Sequence, residues 1–135
     1  MLEQTVFDFQ DYSCLDDLLP VRDIFCCLGT TIQTAGSKKA FRFVDFELPL
    51  RFVQWAEKTG AKSYSIVTAM GANPSSRIFY NQVKGNIEEE GKKLNIPTVQ
   101  IFRPSLILGP RKEFRIGEII GKGFMIIMNP FMIGP

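Results

Sequence analysis

Tyr80 and Lys84 stand four residues apart in the stretch FYNQVKG. On a helix this spacing puts both on one face, beside an apolar stripe of Phe79, Val83 and Ile87. A free phenol titrates near about 10, and a neighbouring ammonium favours its phenolate form. A tyrosine so placed can act as general acid to a carbonyl oxygen or as general base to an alcohol. The same spacing also suits a tyrosine resting on a lysine stem, with Lys84 facing Glu88, so the pair needs company to mean chemistry. Thr68 lies upstream at a predicted strand end, and its hydroxyl could donate to the same carbonyl oxygen or simply satisfy a local turn. In LGTT, Gly29 allows close backbone approach to a ligand, and Thr30 and Thr31 add hydroxyls; a plain strand-exit turn has the same composition. In RPSLILGPR, Pro104, Ser105 and Leu106 could line one side of a flat ring or merely cover a sheet edge. Gly85, directly after Lys84, costs about 1 kcal/mol in a helix relative to alanine, which points to something approaching closely. Each feature alone is weak, but all of them fall in order at successive strand ends.

The elements that would position these residues alternate in type. Thr5–Phe9 (TVFDF) is a short strand candidate, and Asp23–Thr31 is a buried strand running into a turn. Phe46–Lys58 has helical periodicity, with Asp45 as N-cap, Pro49 in the first turn and Gly60 as the stop. Ser63–Ala72 is the next strand and its loop. The turn residues Asn73–Ser76 open a helix that runs to about residue 95, and Pro97 prevents its continuation. Thr98–Phe102 is a further strand, and a last helical segment starts near Gly117. Strands and helices in this rhythm predict βαβ units in a mostly parallel, open α/β sheet. Ligands bind such sheets at the carboxyl ends of the strands.

Composition narrows the chemistry. The chain has 135 residues and a formal net charge of +2, with its basic residues scattered, so no nucleic-acid stripe is present. Arg111, Lys112 and Arg115 read as a solvated loop. The sequence has no histidine, which removes Ser-His-Asp triads, Cys-His dyads and histidine metal sites. Cys14, Cys26 and Cys27 read as small buried hydrophobes, with no metal spacing, and point to a reduced, cytoplasmic protein. MLEQTVFDFQ lacks the basic start of a signal peptide. The apolar run Phe124–Gly134 is too short to span a bilayer and contains Pro130; it reads as a core segment.

These residues together resemble the short-chain dehydrogenase/reductases, and within them the atypical group that includes the Tat-interacting-protein-like oxidoreductases. The resemblance is carried by FCCLGTTIQTAGS (Phe25–Ser37), VDFELPL (Val44–Leu50), Val67–Glu89 and RPSLILGPRKEFRIGE (Arg103–Glu118), and covers nearly the whole chain. It implies a Rossmann-type, three-layer parallel sheet, a nicotinamide cofactor (NAD or NADP, the preference open) and hydride transfer to or from a small-molecule carbonyl or alcohol. Carried over by position, Tyr80 is the catalytic acid/base, and Lys84 activates it and holds the nicotinamide ribose. Thr68 stands where the family usually has serine. Leu28, Gly29 and Thr30 line the cofactor, and Pro104, Ser105 and Leu106 flank the nicotinamide.

One departure is large. The family's opening strand and glycine-rich GxxGxxG turn, which receives the pyrophosphate, does not occur in this sequence. The chain therefore reads as a single partial Rossmann-like domain over residues 1–135, truncated at both ends. It is expected to bind dinucleotide poorly by itself. An exposed sheet edge leaves open a homo-oligomer. A non-catalytic nucleotide-sensing or protein-interaction module, or an inactive gene fragment, are the alternatives to an enzyme.

Overall fold

A computed structural model describes residues 20–105 together with residues 4, 6, 8, 9, 15 and 18. The chain divides into two compact units, Met1–Pro104 and Ser105–Pro135, and all the described residues except Ser105 lie in the first. Leu106, Cys14, the helix expected from Gly117 and the apolar run Phe124–Gly134 lie outside the described residues.

Three strands form the sheet among the described residues: β1 (Asp23–Cys26), β2 (Ser63–Val67) and β3 (Thr98–Phe102). They are parallel and neighbour one another in chain order, with Phe25 opposite Ser65 and Ser65 opposite Gln100. The parallel α/β sheet expected from the sequence is thus present, as part of a Rossmann-like fold. Of the strand expected at Thr5–Phe9, residues 6, 8 and 9 are described, and none of them is in a strand.

Parallel neighbours need crossovers, and here they are helical. Helices α1 (Ile32–Ala35) and α2 (Lys38–Arg42) lead into a π-helical turn (Phe43–Glu47) and then α3 (Leu48–Lys58). Helix α4 (Phe79–Lys93) crosses from β2 to β3. Thr31 caps α1 by accepting from the Thr34 N–H at 2.9 Å, and Ser37 caps α2 by accepting from the Ala40 N–H at 3.1 Å. The helical path therefore begins well before the Phe46 start expected from periodicity, and Asp45 lies inside it rather than capping it. Pro49 explains the π turn. It has no N–H to give the carbonyl four residues back, that of Asp45, and its ring crowds that oxygen. A wider turn relieves both problems without ending the helix.

Gly60 stops α3 as expected. It has φ +77°, its N–H bonds Glu57 O at 3.1 Å, and the Ala61 N–H bonds Ala56 O at 2.9 Å, the paired bonds of a Schellman ending. The core joins Cys26, Tyr64 and Ile66 of the sheet to Val53 and Ala56 of α3 and Ile87 of α4. The strand period of two sends Cys26 into this core, while Phe25 is 73 % exposed and Cys27 is exposed too. Cys27 thus departs from the buried-thiol expectation, because the residue after an inward one must point away. Among the described residues no helix is long and apolar enough to cross a membrane, and no three His, Cys, Asp or Glu side chains gather as a metal site.

Candidate active site at the strand ends

All three strands run the same way, so their exits share one edge of the sheet. Lys84 is drawn into this edge from the second turn of α4. It is only 5 % exposed, deeper than the border position its spacing suggests. Its ammonium Nζ lies 2.7 Å from Oδ1 of Asp45, itself 1 % exposed. Oδ1 makes no directed hydrogen bond, so the ammonium meets it as an ion pair. The second oxygen, Oδ2, accepts the backbone N–H of Thr30 at 2.9 Å. One carboxylate thus ties the α4 lysine to the turn leaving β1. Gly29 lies against the same group: a Cβ there would stand 3.4 Å from Asp45 Oδ1 and 3.5 Å from Lys84 Nζ.

The sequence reading gave Asp45 only a capping role and missed its pairing with Lys84. The signal that could have found it is its offset from Pro49, which opens the helix at this residue. The expected facing of Lys84 and Glu88 is replaced by two separate pairs, Lys84 with Asp45 and Glu88 with Arg103. A buried lysine whose charge lacked a partner would be costly, and the π turn supplies that partner.

Tyr80 is half-buried one turn before Lys84, its ring 5.5 Å from that of Phe41 and tilted by 40°. Phe41 is fully buried and also meets Phe79 at 5.9 Å. The phenol ring is therefore fixed by aromatic packing from α2.

Thr68, the first residue past β2, is buried. Its Oγ1 donates to Glu88 Oε1 at 2.6 Å, with Phe102 O farther off at 3.4 Å. Glu88 also accepts from Arg103, through Nε at 2.9 Å to Oε1 and through a second, shorter contact from Nη2 to Oε2. This carboxylate beside it pushes the Arg103 guanidinium above its ordinary value, first by hydrogen bonding and then by charge.

Of the cofactor-lining candidates, Leu28 packs against the core, so what it offers a ligand is its backbone. Thr30 presents its N–H to Asp45, and its hydroxyl reaches Thr31 O at 3.5 Å. Pro104 is half-buried just past β3. Ser105 belongs to the second unit and Leu106 lies outside the described residues. The structure thus gathers Gly29, Thr30, Asp45 and Lys84 at one point, with Thr68, Glu88 and Arg103 forming a separate cluster around the exits of β2 and β3.

The close approach expected at Gly85 is real, but its source is the chain itself. A Cβ there would overlap Pro74 N and the Asn73 carbonyl carbon and stand 2.7 Å from Asn73 Cα. The loop after β2 lies directly on α4 at this residue.

No protein-family model matches the chain. The chain is 35 % identical over 127 residues to the rat protein HTATIP2, covering 91 % of this chain and 51 % of that protein. It is 37 % identical over 111 residues to the protein named fmp52, mitochondrial, of Emericella nidulans, covering 82 % and 48 %. It is 33 % identical over 114 residues to FMP52, mitochondrial, of Debaryomyces hansenii, covering 82 % and 50 %. The chain spans about half the length of the curated relatives it matches. The fungal names correct the expectation of a cytoplasmic protein. That expectation rested on reduced cysteines, and reduced thiols report a reducing compartment without saying which one.

Proposed function

We propose that this relative of the HTATIP2 and FMP52 proteins carries the acid/base centre and the nicotinamide end of an NAD(P)-dependent oxidoreductase of the atypical short-chain dehydrogenase/reductase group. The observation that carries the reading is the Asp45 carboxylate shared between Lys84 and the Thr30 N–H beside Gly29. It joins the lysine of the Tyr80–Lys84 pair to the turn at which an open parallel sheet receives its ligand. The similarity to the relatives, which runs across most of the chain, supports it. The fungal names support a mitochondrial location for this protein as well.

The residues present fit the ribose of a nicotinamide cofactor. Asp45 Oδ1 is buried without a hydrogen bond and can accept a hydroxyl proton. Lys84 carries three N–H donors, and its ion pair with Asp45 leaves donors for a ribose oxygen. Gly29 presents no side chain in front of the pair. When bound, the nicotinamide supplies or takes the hydride. Tyr80 gives its phenolic proton to the carbonyl oxygen as hydride reaches the carbonyl carbon, and takes that proton back from the alcohol in the reverse direction. Lys84 orients the ribose and supplies positive charge near the phenol. Leu28, Gly29 and Thr30 line the cofactor with backbone, Pro104 flanks the ring, and Thr68 places its hydroxyl at the β2 exit.

Two measurements test this. Titrating NADH and NADPH against the chain by nicotinamide fluorescence should show weak binding that Lys84→Met weakens further, by about tenfold, the equivalent of one lost hydrogen bond. Tyr80→Phe should keep cofactor binding and lose about 10²–10⁴ in turnover. Binding that ignores Lys84→Met, or turnover that survives Tyr80→Phe, would remove the reading.

A further inference from the structure

We propose that Glu88 is a positioning residue that fixes the Thr68 hydroxyl as a hydrogen-bond acceptor toward the reacting groups, so that Thr68 does not donate to the substrate oxygen. The inference rests on the oxidoreductase reading of the site. A hydroxyl has one proton and two lone pairs. The proton of Thr68 points at Glu88 Oε1 over 2.6 Å, and the competing acceptor, Phe102 O, is farther at 3.4 Å. A bond to a carboxylate is roughly twice as strong as one to a neutral acceptor. Glu88 is 2 % exposed, so water does not compete for it. Both of its oxygens are engaged by Arg103, a cation that does not titrate in the working range. The carboxylate is thereby held in place on α4, one turn beyond Lys84.

The consequence is a polarity. To polarise a carbonyl, Thr68 would have to break a buried, charge-assisted bond and strand the carboxylate oxygen. What its remaining lone pairs can do is accept, from the Tyr80 phenol or from an alcohol substrate. Of the Tyr80 and Thr68 hydroxyls, Tyr80 is then the one that donates to the substrate oxygen. The same cluster fixes the backbone around it: the Thr68 N–H bonds Phe102 O at 2.8 Å, and Arg103 follows Phe102. Glu88 therefore sets the direction of the Thr68 hydroxyl and ties α4 to the exits of both strands.

Proton NMR on the full chain tests the polarity directly. The Thr68 hydroxyl proton should appear as a slowly exchanging resonance with contacts to the Thr68 methyl, and Glu88→Gln should speed its exchange by at least about tenfold, since the acceptor loses its charge. Absence of a protected hydroxyl proton, or indifference to Glu88→Gln, overturns the proposal. The kinetic arm uses NADPH and benzaldehyde as the probe pair. Thr68→Val should lower kcat by less than about tenfold while lowering the melting temperature, and Thr68→Ser should restore both. A loss of about 10²–10³ in kcat at an unchanged melting temperature is the mark of a lost oxyanion donor and would overturn it. Failure of the wild-type protein to bind or oxidise NADPH would instead sink the oxidoreductase reading, and the NMR result would still decide which way the hydroxyl points.

Discussion

Asp45 and Lys84 form a pair in which each residue makes the other tolerable. Both are almost wholly buried, and removing one charge from such a pair typically costs about 3–5 kcal/mol because the other is left uncompensated. Asp45→Asn keeps an oxygen for the Thr30 N–H but removes the charge facing Lys84. It should therefore destabilise the chain by about that amount in urea unfolding. Adding Lys84→Met should recover much of the loss, since an apolar pair of similar volume is often neutral or better. Equal stability of the single and double variants would show that the ion pair does not hold the turn. At this scale the sequence was half legible. Tyr80 and Lys84 announce themselves by spacing. Asp45 and Glu88 do not, because their partners lie 39 and 15 positions away along the chain, at Lys84 and Arg103, and no local pattern encodes a partner at that range.

Helix α4 is where the elements meet. Lys84 ties it to the π turn, Glu88 ties it to the end of β3, and Gly85 between them receives the loop after β2. Helix propensity alone says that Gly85→Ala should stabilise α4 by about 1 kcal/mol. The overlap with Pro74 and Asn73 is with backbone, which cannot swing aside, so the substitution should instead destabilise the chain by about 1–3 kcal/mol, as overpacking does. A higher melting temperature for Gly85→Ala would show that the loop can lift. The three strands and α4 were readable from alternating apolar runs and from Pro97. The π turn was not: periodicity starts a helix at Phe46 with Asp45 as its cap, and only the effect of Pro49 on the carbonyl of Asp45 marks the wider turn. Thr5–Phe9 alternates like a strand, yet alternation specifies a face and not a neighbour, and a strand also needs something to pair with.

Across the whole molecule, the alkaline limit of stability should depend on a phenol in the core, Tyr64. Tyr64 lies at the centre of the core, donates to Pro49 O at 3.3 Å, and has its phenol pushed well above its ordinary value, first by burial and then by Cys26. A folded-state value above the unfolded one means that stability is intact below about pH 10 and falls as the unfolded phenol loses its proton above it. This one group should contribute a slope of about 1.4 kcal/mol per pH unit in that range. Tyr64→Phe should remove that part of the slope, at a cost near pH 7 of about 1 kcal/mol for the lost hydrogen bond. An unchanged alkaline slope in chemical denaturation between pH 9 and pH 11 would show that Tyr64 is not the group responsible. The π turn, finally, sets how this molecule can change length. Each α-helical residue turns the chain by about 100°, and a π turn behaves as one residue inserted into an otherwise regular helix. Deleting Val44 would remove the extra residue but bring the ring of Pro49 back against the carbonyl of Asp45, which still lies four residues before it. Inserting a further residue there would turn Phe41 by about 100° relative to Val53. After such an insertion Phe41, which packs on Tyr80, and Val53, in the sheet core, could no longer both face inward, so insertions and deletions at 43–47 should be far less tolerated than substitutions there.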